Sequence, residues 1–329
     1  MKLLMLRGQV PTDRNPKEIV YKKKKDCSDF WVLLMEAMTG KRDQTKILYW
    51  GGERDFHWSD YFTITWTPTF KKYRHRLIPD VIFFRGGFPE YNKIYKLFPE
   101  VLKIFYGAGI RTIPDRFYDL VLVDDSRDVP KVIEKFPKSR VEVWSKPAAD
   151  PFFYPHDVEK EFDVCYVANG GQAEIKRIPW VYKTVPKDLK VLHLGFKSRH
   201  KPPKNVTCKR VLHKNMAKEI SRCKVGIVPY SSYDSGPRVI PEMLACGLGV
   251  VVSNSTRHSD YGWLIRTTMF NFWKNAKNSL YNMKNFEAEN FLARKDYLEE
   301  CSLEKAATKL KGIIAEELLK KDKREQTNT

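Results

Sequence analysis

One pattern limits the fold of this chain more than any other. Short runs rich in Val, Ile, Phe and Tyr alternate with segments of helical length, stop at a proline-rich break, and start again. The first half carries KLLML, KILYW, YFTITW, DVIFF, LKIFY, DLVLVDD and VEVWS, with SDFWVLLMEAMTG and NKIYKLFPEVL among the segments between them. Apolar runs of strand length belong to strands covered on both faces, so the pattern predicts parallel sheets flanked by helices. Periodicity is lost at KPAADPFFYPHDVEKE, which Pro147, Pro151 and Pro155 stiffen, as in a linker between domains. It returns in FDVCYVANGG, KVLHLGF, the helical HKNMAKEISRC, KVGIVPY, the helical RVIPEMLAC and GVVVS. The expected organisation is two doubly wound α/β domains, with ligands at the carboxyl ends of the strands.

The expected boundaries are a first domain over 1–146, a linker over 147–160 and a second domain over 161–318. In SLEKAATKLKGIIAEELLKK, Leu303, Ala306, Leu310, Ile313 and Leu318 fall near helical spacing, which predicts a packed last helix in that second domain. The remaining 319–329 has nothing to bury and reads as a disordered basic tail.

A length of 329 residues, 42% hydrophobic and 13% aromatic, is ample for two cores. Lys and Arg number 59 against 40 Asp and Glu, and the formal charge of +19 favours anionic partners: nucleotides, nucleic acid or an acidic membrane surface. Six cysteines stand without CxxC or Cys/His ligand spacing, which points to a reducing compartment and no structural zinc. MKLLML runs directly into polar sequence and reads as a first strand. No stretch reaches the roughly 18 apolar residues of a spanning helix, so the expectation is a cytoplasmic protein, with peripheral membrane contact left open.

The chemistry concentrates in DSGPRVIPEMLACGLGVVVSN, Asp234 to Asn254. A strand ending in IVPY meets a turn with Ser235, Gly236 and Pro237, then a helix, and backbone N–H groups at such a junction face an anion. Asp234 sits at the mouth of this loop, as a ligand contact or as a turn or capping residue. Glu242 lies about one turn inside, beside Met243, Leu244 and Ala245. It is either exposed beside an apolar stripe or buried, where a carboxylate needs hydrogen-bond partners; a vicinal diol would satisfy both of its oxygens. At the head of the same domain Gly170 and Gly171 separate a strand from a helix. They form a plain turn, or a place where a phosphate approaches the backbone, with Lys176 and Arg177 to neutralise it.

These residues resemble the donor-binding signature of retaining family-4, group-1 glycosyltransferases of the GT-B fold. There an acid, seven residues and a glutamate precede a small-residue helix and a strand; the match here is Asp234, seven residues, Glu242 and LACGLGVVVS. The first acid here is Asp where the family usually has Glu, and SGPR stands in place of glycine-phenylalanine-glycine. KPAADPFFYP is similar to the family's interdomain element. The resemblance covers 145–260 and reaches the first domain in outline.

It implies two Rossmann-like domains facing across a cleft, and transfer of a sugar from a nucleoside-diphosphate sugar, UDP- or GDP-linked, to an acceptor hydroxyl with retention. No permanent cofactor and no metal are implied. Asp234 would lie by the donor sugar, Glu242 would hold the ribose, and Lys176, Arg177 and Arg238 would face the diphosphate. The acceptor is expected to be a glycan, lipid-linked molecule or protein. A DNA-modifying transferase acting on a hydroxylated base is an alternative, as is a non-catalytic nucleic-acid or nucleotide-sugar binding protein on the same scaffold.

In the first domain, Gly8 follows a strand and is a bare turn or a phosphate contact. Arg85 and Gly86 in RGGF, Tyr106 in YGAG, and His57 are candidates for the acceptor side. Asp124 and Asp125 read as structural or acceptor-facing acids.

Overall fold

A computed structural model describes residues 1–7, 30–40, 43–49, 56–59, 62–66, 78–87, 91–107, 113–148, 151–195, 199–232, 237–256, 264–281, 294–295, 297–299 and 301–327. The chain divides into two units, Met1–Trp144 with Glu304–Thr329, and Ser145–Leu303. Each is built on one sheet, and both sheets are doubly wound α/β, as the alternation predicts.

The first unit runs β1 (Lys2–Arg7), α1 (Phe30–Met38), β2 (Gln44–Tyr49), β3 (Phe56–Ser59), β4 (Phe62–Trp66), β5 (Val81–Arg85), α2 (Tyr91–Leu97), β6 (Leu102–Tyr106), β7 (Leu120–Val123), α3 (Val129–Lys135) and β8 (Arg140–Val143). Its strand order is β3-β4-β2-β1-β5-β6-β7-β8. All pairings are parallel except β3 on β4. The strands are apolar at consecutive positions because both faces are covered: Val81 to Phe84 are all buried, and Leu4, Leu6, Ile82, Phe84, Phe105 and Val121 share one core with Tyr91.

The second unit runs β9 (Phe162–Val167), α4 (Ile178–Thr184), β10 (Val191–Leu194), β11 (Val206–Lys209), α5 (Met216–Ser221), β12 (Cys223–Val228), α6 (Val239–Ala245), β13 (Gly249–Ser253), β14 (Leu264–Thr267) and α7 (Phe272–Tyr281). Its order is β11-β10-β9-β12-β13-β14, parallel throughout. Helix α6 stops at Gly247, whose φ of 77° is costly for other residues. The N–H of Gly247 reaches Leu244 O at 2.9 Å and that of Leu248 reaches Met243 O at 3.0 Å, which satisfies the last carbonyls of the helix.

The last helix, α8 (Leu303–Thr327), corrects two expectations. It groups with the first unit and not with 161–318. Trp144 Nε1 donates to Ala306 O at 3.2 Å, and Arg140 spans to Glu316 and Glu317 at 2.8 and 2.9 Å. Ala306, Leu310 and Ile313 are buried as the spacing predicts, Leu303 and Leu318 are only partly buried, and Ile314 joins the buried face; periodicity names the buried face of a helix and not the sheet that covers it. The segment expected as a disordered tail continues the helix to Thr327, with Lys320 reaching back to Glu317 at 2.8 Å.

Candidate functional site

In the second sheet the strand order reverses between β9 and β12. From β9 the chain winds outward to β10 and β11, and from β12 outward to β13 and β14. Segments that leave the carboxyl ends of β9 and β12 therefore diverge and open a crevice, the usual ligand position in such sheets. The sequence candidates of this unit follow these two strands: 170–177 after β9, 234–242 after β12. Asp234, Ser235 and Gly236 lie outside the described residues.

After β9, residues 170–172 form a single 3₁₀ turn capped by Asn169, whose side chain accepts from Gly171 N at 3.2 Å. Gln172 N donates to Asn169 O at 2.9 Å. The turn thus uses two backbone donors internally. The sequence expects Gly171 to open its backbone to a phosphate, and such a contact requires this N–H to leave Asn169. A side chain at Gly171 would meet only Asn169 Oδ1, at 3.9 Å, so close packing does not explain this glycine.

Lys176 and Arg177 are placed more definitely. Tyr166 donates to Lys176 O at 2.7 Å, and Ser231 N reaches Ile175 O at 2.9 Å, which ties this segment to the one after β12. Lys176 Nζ stands 4.0 Å from the Tyr230 ring centroid, a cation–π distance. Tyr230 itself is fully buried and donates to Val167 O, while Ser253, Ser255 and Thr256 all donate to its carbonyl at 2.9, 2.9 and 3.2 Å. Arg177 caps α4 with φ 58° and ψ 38°. It is the only non-glycine of positive φ among the described residues, and left-handed backbone at an arginine carries strain of the kind held at functional sites. Its Nη2 lies 3.2 Å from Ser255 Oγ, and burial lowers the guanidinium pKa from its ordinary value. Two cations thus stand on a hydrogen-bonded shelf at the switch point.

Glu242 is 3% exposed, in the first turn of α6, so it is not the solvated helix residue that its neighbours left open. His213 Nε2 lies 2.9 Å from Glu242 Oε1, and the His213 ring packs on Phe153 with centroids 5.0 Å apart. One carboxylate oxygen is therefore taken by the protein, where the sequence reading assigned both to a ligand. His213 is a residue that the sequence reading missed: it stands 29 positions away, on the 3₁₀ turn between β11 and α5, and only folding brings the two together. The charge on Glu242 is felt at Cys246, whose thiol is pushed up first by burial and then by this carboxylate. Arg238 precedes α6 and accepts from Glu242 N through its carbonyl at 3.1 Å.

The neighbouring strand ends are built for close approach. A Cβ on Gly195 would lie 1.8 Å from Ala168 O, with φ at 153°. His193 Nε2 faces the same carbonyl at 3.0 Å and so carries the proton, leaving Nδ1 to accept from Tyr182 OH at 2.6 Å; burial lowers the His193 pKa. Beside these groups opens a cavity of about 440 Å³, lined also by Cys208, Lys209 and Arg210.

The first-unit candidates separate. Arg85 and Gly86 end β5 at that sheet's own reversal, between β1 and β5. Gly86 has φ 85°, its N–H donates to Tyr106 O at 2.8 Å, and the Arg85 guanidinium lies 6.0 Å from the Trp31 ring. Tyr106 is corrected: it is 2% exposed, packs on Trp31 and Trp144, and donates to Asp124 Oδ2 at 2.5 Å. It is a core residue, because the inward face of β6 places its ring there. Asp125 is gripped by its own neighbour, Arg127, through Nε and Nη2 at 2.8 and 2.5 Å. Both acids are structural. His57 lies in β3, its side chain outside the described residues, as is Gly8.

No protein-family model matches this sequence, and no curated protein matches it. Solved structures do. HepE of Anabaena, in complex with UDP and glucose, superposes with a TM-score of 0.66 at 11% identity, over 96% of this chain and 100% of that one. AviGT4, a glycosyltransferase of avilamycin A biosynthesis, gives 0.60 at 11% identity, over 96% of each chain. TarM gives 0.57 at 13% identity, over 73% of this chain but 56% of its own. The chain has the GT-B fold of glycosyltransferases.

Proposed function

We propose that this protein transfers a sugar from a nucleoside-diphosphate sugar, UDP-linked by analogy with the HepE complex, to an acceptor hydroxyl, with the donor bound by the second unit. The observation that carries the reading is the position of two cations, Lys176 and Arg177, on a rigid shelf at the β9/β12 switch point. Glu242 sits buried in α6, the helix that follows β12.

In this reading Lys176, Arg177 and Arg238 meet the charge that gathers on the leaving diphosphate as the C1–O bond lengthens, and stabilise the transition state more than the ground state. The free oxygen of Glu242 holds a ribose hydroxyl, with His213 fixing the other. The cavity beside His193 is large enough for part of a nucleotide. Asp234, Ser235 and Gly236, outside the described residues, are assigned to the donor sugar and the diphosphate from their place in the sequence alone. The acceptor oxygen forms its bond to C1 on the face the diphosphate leaves, and its proton passes to a departing phosphate oxygen. The configuration is then retained, and neither a protein nucleophile nor a metal enters the scheme.

Turnover of UDP-sugars by the whole protein tests the reading. Lys176→Ala should lower kcat by about 10²- to 10³-fold, the effect of removing one preorganised charge-stabilising donor, with a smaller change in KM. Wild-type protein without turnover of any nucleoside-diphosphate sugar, or a Lys176→Ala variant with unchanged kcat, contradicts it. Proton NMR of the product's anomeric signal decides retention.

A further inference from the structure

A second cavity of about 590 Å³ lies in the same unit, where the chain over 151–156 runs alongside β11 and α5. Its wall carries a ring pair, Tyr154 and His156, stacked with centroids 4.4 Å apart and planes at 27°. Tyr154 is 46% exposed, and His156 N donates to Ser221 Oγ at 3.0 Å, which fixes the pair against α5. The same cavity is lined by Lys209, Arg210, Lys214, Lys218 and Glu219. Lys209 pairs with Glu219, which also holds Arg222 at 2.6 Å, so four basic side chains against one acid leave the lining net positive. Lys209 and Arg210 also line the cavity beside His193, whereas Tyr154, His156, Lys214 and Lys218 have no part in the donor scheme.

We infer that this cavity binds a single-stranded nucleic acid, phosphates on Arg210, Lys214 and Lys218 and a base on the Tyr154–His156 face. A row of cations beside an aromatic platform is the arrangement that takes unpaired strands, because every base offers a π-face. A duplex hides those faces in its own stack, and a lipid headgroup or bare polyphosphate has no ring for the platform. The formal charge of +19 raises the local concentration of any polyanion but does not select one.

Fluorescence anisotropy with a labelled oligothymidylate of about 12 nucleotides tests it, against inorganic polyphosphate of equal length as competitor. Three phosphate contacts on a single strand give a slope of log K against log salt near −2, or about a 20-fold loss from about 50 to about 200 mM salt. Tyr154→Ala should weaken the strand roughly 5- to 150-fold and leave polyphosphate unchanged, while Lys214→Ala with Lys218→Ala weakens both and flattens the slope. These side chains stand on the surface, and an unchanged melting temperature confirms that the variants are folded. Equal binding of strand and polyphosphate with no effect of Tyr154→Ala overturns the inference, as does strand binding that ignores the lysine pair. Capture by phosphatidylserine vesicles without oligonucleotide binding overturns it as well.

Discussion

At the scale of single residues, the most informative position is Glu242, because a carboxylate at 3% exposure is costly to desolvate unless something donates to it. His213 is that donor, at 2.9 Å. The pair makes Glu242 a fixed acceptor with one oxygen to spare. Removing the imidazole should therefore do two things at once. In His213→Ala the buried acceptor loses a charged hydrogen bond, so stability should fall by about 1–3 kcal/mol, and the carboxylate loses its orientation, so UDP affinity should fall as well. His213→Gln, which keeps an N–H donor, should recover much of both. Urea unfolding and calorimetric titration measure the two effects; an alanine variant with full stability and full affinity contradicts the positioning role.

At the scale of elements, α8 is where sequence and structure differ most. The apolar spacing of Ala306, Leu310 and Ile313 was legible, and so was the helix. Its partner was not, since the contacts that decide it join Arg140 to Glu316 and Glu317, about 176 positions apart. Glu317 gives a pH test of this docking. Burial pushes its carboxyl up, but hydrogen bonds from Lys320 and Arg140 outweigh that and hold its pKa below the ordinary glutamate value. A depressed folded pKa means stability that is present above the unfolded value and lost as pH falls through the folded one. The first unit should thus lose stability as pH drops below about 4.5, and Glu317→Gln should remove this part of the acid sensitivity. Urea midpoints at neutral and acid pH measure it; identical pH dependence in wild type and variant contradicts it. Most strands, by contrast, were readable, because strands buried on both faces leave unbroken apolar runs such as VIFFR and GVVVS; the short β3, β11 and β14, with FHWS, VTCK and LIRT, carry no such run and were not read.

At the scale of the whole molecule, two doubly wound sheets bring short, separate motifs to strand ends. From the order of strands and small-residue turns the sequence puts Lys176, Arg177 and Glu242 in one domain, and all three fall within the second unit. It misread Tyr106, because a residue at a strand's carboxyl end can still point into the core, and it missed His213 and Gly195, whose roles depend on strands that meet only after folding. The central claim is a donor site in the second unit, and thermal unfolding of the full chain with a panel of nucleoside diphosphates, wild type beside Glu242→Ala, tests it most directly. A ligand at about 100 times its dissociation constant adds about 2.7 kcal/mol, a rise of roughly 5–10 °C in the unfolding of a unit the size of the second one, Ser145–Leu303. UDP should give that rise in the wild type and none in Glu242→Ala; no rise with any diphosphate, or an equal rise in the variant, contradicts a donor site there.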